Sequence, residues 1–354
     1  GSAQGPLSQF LSWQPGKLPP SDANADAWKL EKGSDLVLQV HMQPTGKPER
    51  IQPSVAFYFS DQPSSNIFFK MGFDSFTIDI PAGETNYVVK DSYRLPVDLE
   101  VIGVLPHAHY LGKRLQSFAT LPNGTRKWLL SISDWNFNWQ GDYRYAQPMF
   151  LPKGSTIQME FSYDNSTNNL RNPHHPPERV QYGLQTTDEM ANLAFIFRLS
   201  NQHDLEVLQQ NYQYKGAQDI IHYNEYALRV NPNDAHAHAQ LGKVLLALGR
   251  SAEAQTHLQE SVRLNPHSDD SHYHLAIIFE DQGRIDESKA EYRAALKDNP
   301  ENIPACNNLG LLCLKTGDLN GAEDYFNRAL RLRPEDEIVR ENLELLRKAR
   351  LAPK

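Results

Sequence analysis

The chain has 354 residues, which is room for two or three domains. It is 40% hydrophobic and 22% charged, with a net charge of −8 and an isoelectric point near 5.9. That acidic balance excludes the basic footprint of a nucleic-acid or anionic-membrane surface, so no nucleic-acid partner is expected. No apolar run approaches the roughly 20 residues that span a bilayer, so no membrane span is expected. The chain opens Gly-Ser rather than Met, which reads as an expression scar with any upstream leader cut away.

Residues 1–200 read as β. Short alternating runs recur at 36–41 (LVLQVH), 54–59 (SVAFYF), 75–80 (SFTIDI), 156–161 (TIQMEF) and 193–197 (LAFIF), separated by turn residues such as Pro122-Asn123-Gly124. The spacing predicts an antiparallel, jelly-roll-like β-sandwich. Residues 201–216 are Gln/Asn-rich and read as a connector, partly helical. From 217 the grammar changes. Prolines fall at 232, 266, 300 and 334, and glycines at 249, 283 and 317. Leu241-Gly242, Leu275-Ala276 and Leu309-Gly310 keep the same step of 34, as do Leu258, Tyr292 and Phe326. A helix–turn–helix period of this length is the signature of tetratricopeptide repeats, here 235–268, 269–302 and 303–336. A half-repeat helix near 217–230 precedes them, and 336–350 forms a polar capping helix, as a solenoid end requires. The whole is therefore a multidomain β + α chain. Its two cysteines, Cys306 and Cys313, would lie about 10 Å apart on one helix, too far for a disulfide, and read as small buried hydrophobes.

Two His-Ala-His tripeptides take opposite readings. His107 and His109 follow the apolar run 101–105; if that segment is extended, both imidazoles project from one face and can share a metal. His236 and His238 lie in a repeat helix, as do His272 and His274, and residues two apart on a helix point to opposite sides. Those pairs read as packing and surface residues. Met190 ends the polar run Thr186-Thr187-Asp188-Glu189, and alternation places it with Asn192 off the face that carries Ala191, Leu193, Phe195 and Phe197. Two imidazoles and a thioether suit a copper that cycles through Cu(I). Trp135, Phe137 and Trp139 alternate as if along one strand face and read as core or as a pocket wall.

The segment His107-Ala108-His109-Tyr110-Leu111-Gly112-Lys113 resembles the His-x-His-x-Leu-Gly-Lys segment of copper type II, ascorbate-dependent monooxygenases, typified by the peptidylglycine α-hydroxylating enzymes. Residues 187–193 (TDEMANL) resemble that family's second signature, and 36–41 a third. The resemblance covers roughly 30–200. It is similar to a bacterial branch that carries tetratricopeptide repeats behind the catalytic region, which 163–166 and 134–139 also fit. The resemblance implies oxygen activation and C–H hydroxylation at a copper held by His107, His109 and Met190. Electrons would come from ascorbate or an equivalent donor through a second, three-histidine copper. His41 would be one ligand of that second copper. It also implies an extracytoplasmic location.

The sequence departs from the family twice. The His-His pair of the second copper would fall upstream of residue 1, which leaves His41 an orphan ligand and 1–64 a remnant of a first sandwich ahead of a second at 65–200. His174-His175, the chain's only His-His pair, sits in a proline-rich turn and reads as a loop. The arginine and tyrosine that clamp a peptide carboxylate are replaced by Leu105 and Ala194, leaving Asn192, so the substrate-binding positions are more apolar. The repeats predict a protein or peptide partner, with groove positions Lys243, Tyr273, Glu280 and Asn307. Three functions are compatible with these residues. One is a copper monooxygenase tethered by its repeats, an oxidoreductase in its full-length parent. The second is a non-catalytic copper-binding assembly protein. The third is a cupin-like iron or zinc enzyme that adds a carboxylate to His107 and His109.

Overall fold

The computed structural model describes residues 46–50, 52–55 and 66–351. The run 36–41 with His41, and most of the run 54–59, lie outside the described residues; Ser54 and Val55 are not in a strand. Two compact units divide between Gln213 and Tyr214.

The first unit carries ten strands: β1 (Ile67–Ser75), β2 (Asp79–Ile80), β3 (Tyr87–Arg94), β4 (Leu99–His107), β5 (Gly112–Thr120), β6 (Arg126–Ile132), β7 (Tyr143–Leu151), β8 (Thr156–Tyr163), β9 (Val180–Gln181) and β10 (Ala191–Leu199). They form antiparallel sheets of order β1-β10-β4-β7 and β3-β8-β5-β6, with a small β2-β9 pair. Neither large sheet closes on itself. Period-two alternation explains which faces are buried. On β8 the burial follows Ile157, Met159, Phe161 and Tyr163, and on β10 Ala191, Leu193, Phe195, Phe197 and Leu199. These side chains join Met71, Phe73, Val101, Val104 and Leu115 in one apolar core drawn from both sheets.

Two expectations are corrected here. The run 75–80 is not one strand, because β1 ends at Ser75 and only Asp79-Ile80 pairs again. The aromatic row is not on a strand at all. Residues 133–140 form an irregular turn, with Trp135 in the core, Phe137 half-buried and Trp139 exposed. Alternating spelling in that turn follows its bends rather than a pleat.

The helices are α1 (Gln202–Val230), α2 (Ala235–Ala247), α3 (Ser251–Leu264), α4 (Asp269–Asp281), α5 (Ile285–Asp298), α6 (Ile303–Lys315), α7 (Leu319–Leu332) and α8 (Glu337–Leu351). The stretch 201–216, expected to be a partly helical connector, is helical from Gln202 onward, as the first half of one continuous helix of 29 residues. Its early residues are held to the β unit, where Tyr212 Oη accepts from Gly72 N–H at 3.1 Å and donates to Gly72 C=O at 2.9 Å, and Leu208 enters the core. Farther along, Ile221 packs with Leu241, Leu258 and Leu275 of the repeats.

Each repeat opens on a capping side chain. Asp234, Ser268 and Asn302, spaced by 34, accept the otherwise orphaned N–H groups of α2, α4 and α6. Gly249, Gly283 and Gly317 turn each pair at φ of 75°, 73° and 81°, a region that costs an L side chain. Gly310 has another reason: a Cβ there would sit 2.6 Å from the Phe326 ring, because the two helices touch at that residue. Cys306 and Cys313 are buried and free in α6, and burial raises both thiol pKa values.

Gly310→Ala is expected to lose about 1–3 kcal/mol by overpacking, outweighing the roughly 1 kcal/mol that alanine gains in a helix. Urea unfolding followed by circular dichroism reads this; a stabilised variant would contradict the close-approach argument. A second expectation concerns His272, whose Nδ1 lies 2.6 Å from Glu291 Oε2. That bond holds the imidazole pKa above its ordinary value, against burial. Its stabilisation is therefore full below the unfolded value of about 6.5 and is lost as pH rises through the folded value. Unfolding free energies of wild type and His272→Gln should differ most near about pH 6 and converge in alkaline buffer. A difference constant with pH would rule this out.

Candidate functional site

β4 ends on His107, and the chain then bends through Ala108 and His109 before β5 begins at Gly112. The two imidazoles nevertheless converge, with ring centroids 5.1 Å apart in an edge-to-face arrangement. Across the sheet, β10 pairs with β4 so that Asn192 lies opposite His107 and Ala194 opposite Leu105. Cross-strand partners share a face, so Leu105, His107, Asn192 and Ala194 form one patch, on the side away from the core residues Val104 and Leu193. The structure thus gathers the three substrate-position residues beside His107. The Asn192 amide is engaged, donating to Asp74 Oδ1 on β1.

Met190 stands just ahead of β10, and what ties it to the histidines is a residue that sequence reasoning passed over. Glu189 is fully buried. Its Oε1 accepts the backbone N–H of His109 and, at 2.8 Å, that of Met190, while Oε2 accepts from Leu111 N–H at 2.9 Å. Two segments about 80 residues apart are pinned by one carboxylate. Burial pushes the Glu189 pKa up to about 8, against the opposing pull of the amides of Met190, His109, Leu111 and Gly112. Tyr163 Oη donates to Met190 C=O at 2.9 Å and holds the segment from below.

The imidazoles are oriented through Nδ1. His109 Nδ1 is 3.0 Å from the Asp188 carbonyl, and His107 Nδ1 is 2.6 Å from Gln140 Oε1. An oxygen acceptor at Nδ1 keeps the proton there and leaves the lone pair on Nε2. Burial lowers the His109 pKa, with the neighbouring His107 adding to the effect and the Asp188 carbonyl opposing it. Phe137 lies against His107, His109 and Tyr110, with centroids 6.3, 5.5 and 4.6 Å away. Trp135 donates through Nε1 to Ala108 C=O at 3.1 Å. A charged residue two places ahead of a buried strand was the one readable sign of Glu189; nothing in the pattern marked Gln140.

The remaining expected residues go elsewhere. His41 lies outside the described residues. His174 sits in a loop, its Nε2 3.3 Å from Thr187 C=O. The second tripeptide behaves as the helical geometry dictates. His236 is exposed, while His238 turns to His257 on the next helix, their Nδ1 atoms 3.0 Å apart. His272 pairs with Glu291, whereas His274 bonds the Asp270 carbonyl at 2.7 Å. Lys243, Tyr273, Glu280 and Asn307 all fall on the first helix of a repeat. Lys243 reaches Asp270, Glu280 accepts from Tyr292 Oη at 3.3 Å, and Asn307 accepts from Asn342 at 2.8 Å. Among the described residues no group of three His, Cys, Asp or Glu is placed to hold a metal, and no helix is long and apolar enough to cross a membrane.

The tetratricopeptide repeat family model matches residues 222–269, 239–303 and 273–337. This region is a tetratricopeptide-repeat array. No curated protein matches the chain. Similar solved structures include the MamA protein, at 18% identity over 40% of this chain and 78% of that one, TM-score 0.37. Another is YrrB, described as a tetratricopeptide protein with an unusual peptide-binding site, at 20% identity over 37% and 68%, TM-score 0.34. A third is the first tetratricopeptide domain of Spaghetti (RPAP3) bound to the HSP90 peptide SRMEEVD, at 16% identity over 33% and 94%, TM-score 0.32.

Glu189→Ala would strand the amide protons of His109, Leu111 and Met190 in the core, at about 1–3 kcal/mol each. Denaturant titration of the β unit should show a loss exceeding about 3 kcal/mol, with Glu189→Gln milder because its carbonyl still accepts. Equal stability of Glu189→Ala and wild type would refute the pinning role.

Proposed function

We propose that this chain is a partner-binding assembly protein whose tetratricopeptide array engages a polypeptide. Its β unit, read as a jelly-roll-like sandwich, binds copper through His107, His109 and Met190. The observation that carries the metal half is the sharing of Glu189 Oε1 by the backbones of His109 and Met190, which brings the thioether segment to the paired imidazoles. The donor chemistry fits. Both imidazoles meet an oxygen at Nδ1, which leaves the lone pair on Nε2, and the Glu189 carboxylate is occupied by amide protons rather than available as a hard ligand. Two imidazoles with a thioether favour copper over the iron or zinc of the cupin-like alternative. When bound, copper would supply one-electron redox chemistry. Solenoid repeats present extended surfaces to polypeptides, which supports the partner half, with Lys243, Tyr273, Glu280 and Asn307 in the groove. An extracytoplasmic location accompanies this reading.

A second reading is favoured by the patch beside His107. Leu105, Asn192 and Ala194 would receive an apolar substrate for copper monooxygenation with electrons from ascorbate. Cu(I) titration of the chain against a competing chelator tests the shared claim. One Cu(I) per chain, weakened by Met190→Ile and abolished by His107→Ala with His109→Ala, is the expected result. Iron or zinc retained in Met190→Ile would defeat it. Oxygen consumption with ascorbate then separates the readings, since assembly alone predicts none. For the array, peptides selected by the chain from a random library should lose binding with Tyr273→Ala and Asn307→Ala.

A further inference from the structure

We infer that Gln140 is the positioning residue that presents His107 as a ligand; the inference rests on the copper reading above. Residues 134–140 form a strap across the end of β4. Its N-terminal end is fastened by Arg171, which forks onto Asp134 at 2.9 and 3.1 Å and also donates to Trp135 C=O. Trp135 adds bonds from its N–H to Lys113 C=O at 2.8 Å and from Nε1 to Ala108 C=O at 3.1 Å. The far end returns over the imidazoles through Phe137, and Trp139 N–H closes onto Asn136 C=O at 2.9 Å. Gln140 then donates Nε2–H to Phe137 C=O at 2.9 Å. That bond decides which way the amide points, since only Nε2 can donate to a carbonyl. Oε1 is therefore the atom facing His107, 2.6 Å from Nδ1.

A carboxamide oxygen can only accept, so His107 Nδ1 carries the proton and Nε2 the lone pair. The same tautomer is imposed on His109, but by a backbone carbonyl that no substitution removes. Of these two Nδ1 contacts, the one to His107 depends on a side chain. Outer partners of this kind fix ring orientation and tune ligand strength. The strap thereby couples the fold of an irregular turn to the donor geometry of one imidazole.

The test compares Gln140→Leu, which keeps the size and removes the acceptor, with Gln140→Glu, which restores one. In the metal-free chain, ¹⁵N NMR should show His107 as the Nδ1–H tautomer in wild type and Gln140→Glu, and a mixture in Gln140→Leu. His109 should be unchanged throughout. Cu(I) competition should show Gln140→Leu weaker by about 10–100-fold with Gln140→Glu close to wild type. A His107 tautomer indifferent to Gln140→Leu overturns the inference whatever the copper result. Gln140→Glu failing alongside Gln140→Leu overturns it too, since loop disruption would then explain both. If wild type binds no copper while Gln140→Leu still shifts the tautomer, the orienting role stands and the copper reading falls.

Discussion

The carboxylate of Glu189 is the contact on which the β unit's site depends. It is fully buried, and its oxygens are satisfied by backbone amides from both sides of a chain crossing. Those amides belong to the bend after β4 and to Met190, the residue just ahead of β10. An amide-satisfied carboxylate replaces the ladder bonds that two strands lose where they stop pairing. Neither His109 nor Met190 is in a strand, so regular sheet geometry holds neither of them in place. The backbones of His109 and Met190 are thus held by one buried side chain, and the ring of His107 by the strap that carries Gln140.

The two units reach order by different rules. In the β unit, alternation sorts side chains between core and surface, and the exceptions to alternation build the site. In the helical unit each repeat restates the same local solution: a capping side chain, a touching pair of helices and a glycine turn. Substitutions within the repeat are informative for that reason. His238 and His272 occupy equivalent positions, but one meets His257 and the other Glu291. Burial, with His238 adding to it, lowers the pKa of His257, whereas the bond to Glu291 raises that of His272.

The repeats were legible because they are local and recur. Position classes at 241–242, 258 and 249 recur 34 residues on; in the structure Gly242 lies against Leu258 and Gly310 against Phe326, while Gly249, Gly283 and Gly317 make the turns. The division at 201–216 was not legible. Polar composition suggests a connector, yet tertiary contacts of Leu208 and Tyr212 with the β unit keep that stretch helical. Strands such as β5 and β7 escaped notice because their residues are sorted by neighbours in the sheet rather than by a clean pattern. The row Trp135, Phe137, Trp139 shows the reverse error, since a turn produced an alternation that resembles a pleat.

The amino-acid order by itself determined the helical period, the register of its turns, and that His236 and His238 point to different sides of a helix; the convergence of His107 and His109 came instead from a bend at the end of β4. Side-chain direction follows from local backbone geometry, and local geometry is written in short-range pattern. Only the tertiary structure decided that the backbones of His109 and Met190 share the Glu189 side chain and that Gln140 faces His107. Each of those relations joins residues more than 30 positions apart, except the bond from Glu189 to its own neighbour. Such contacts are selected by burial and hydrogen-bond satisfaction in the folded core, and no spacing along the chain encodes them.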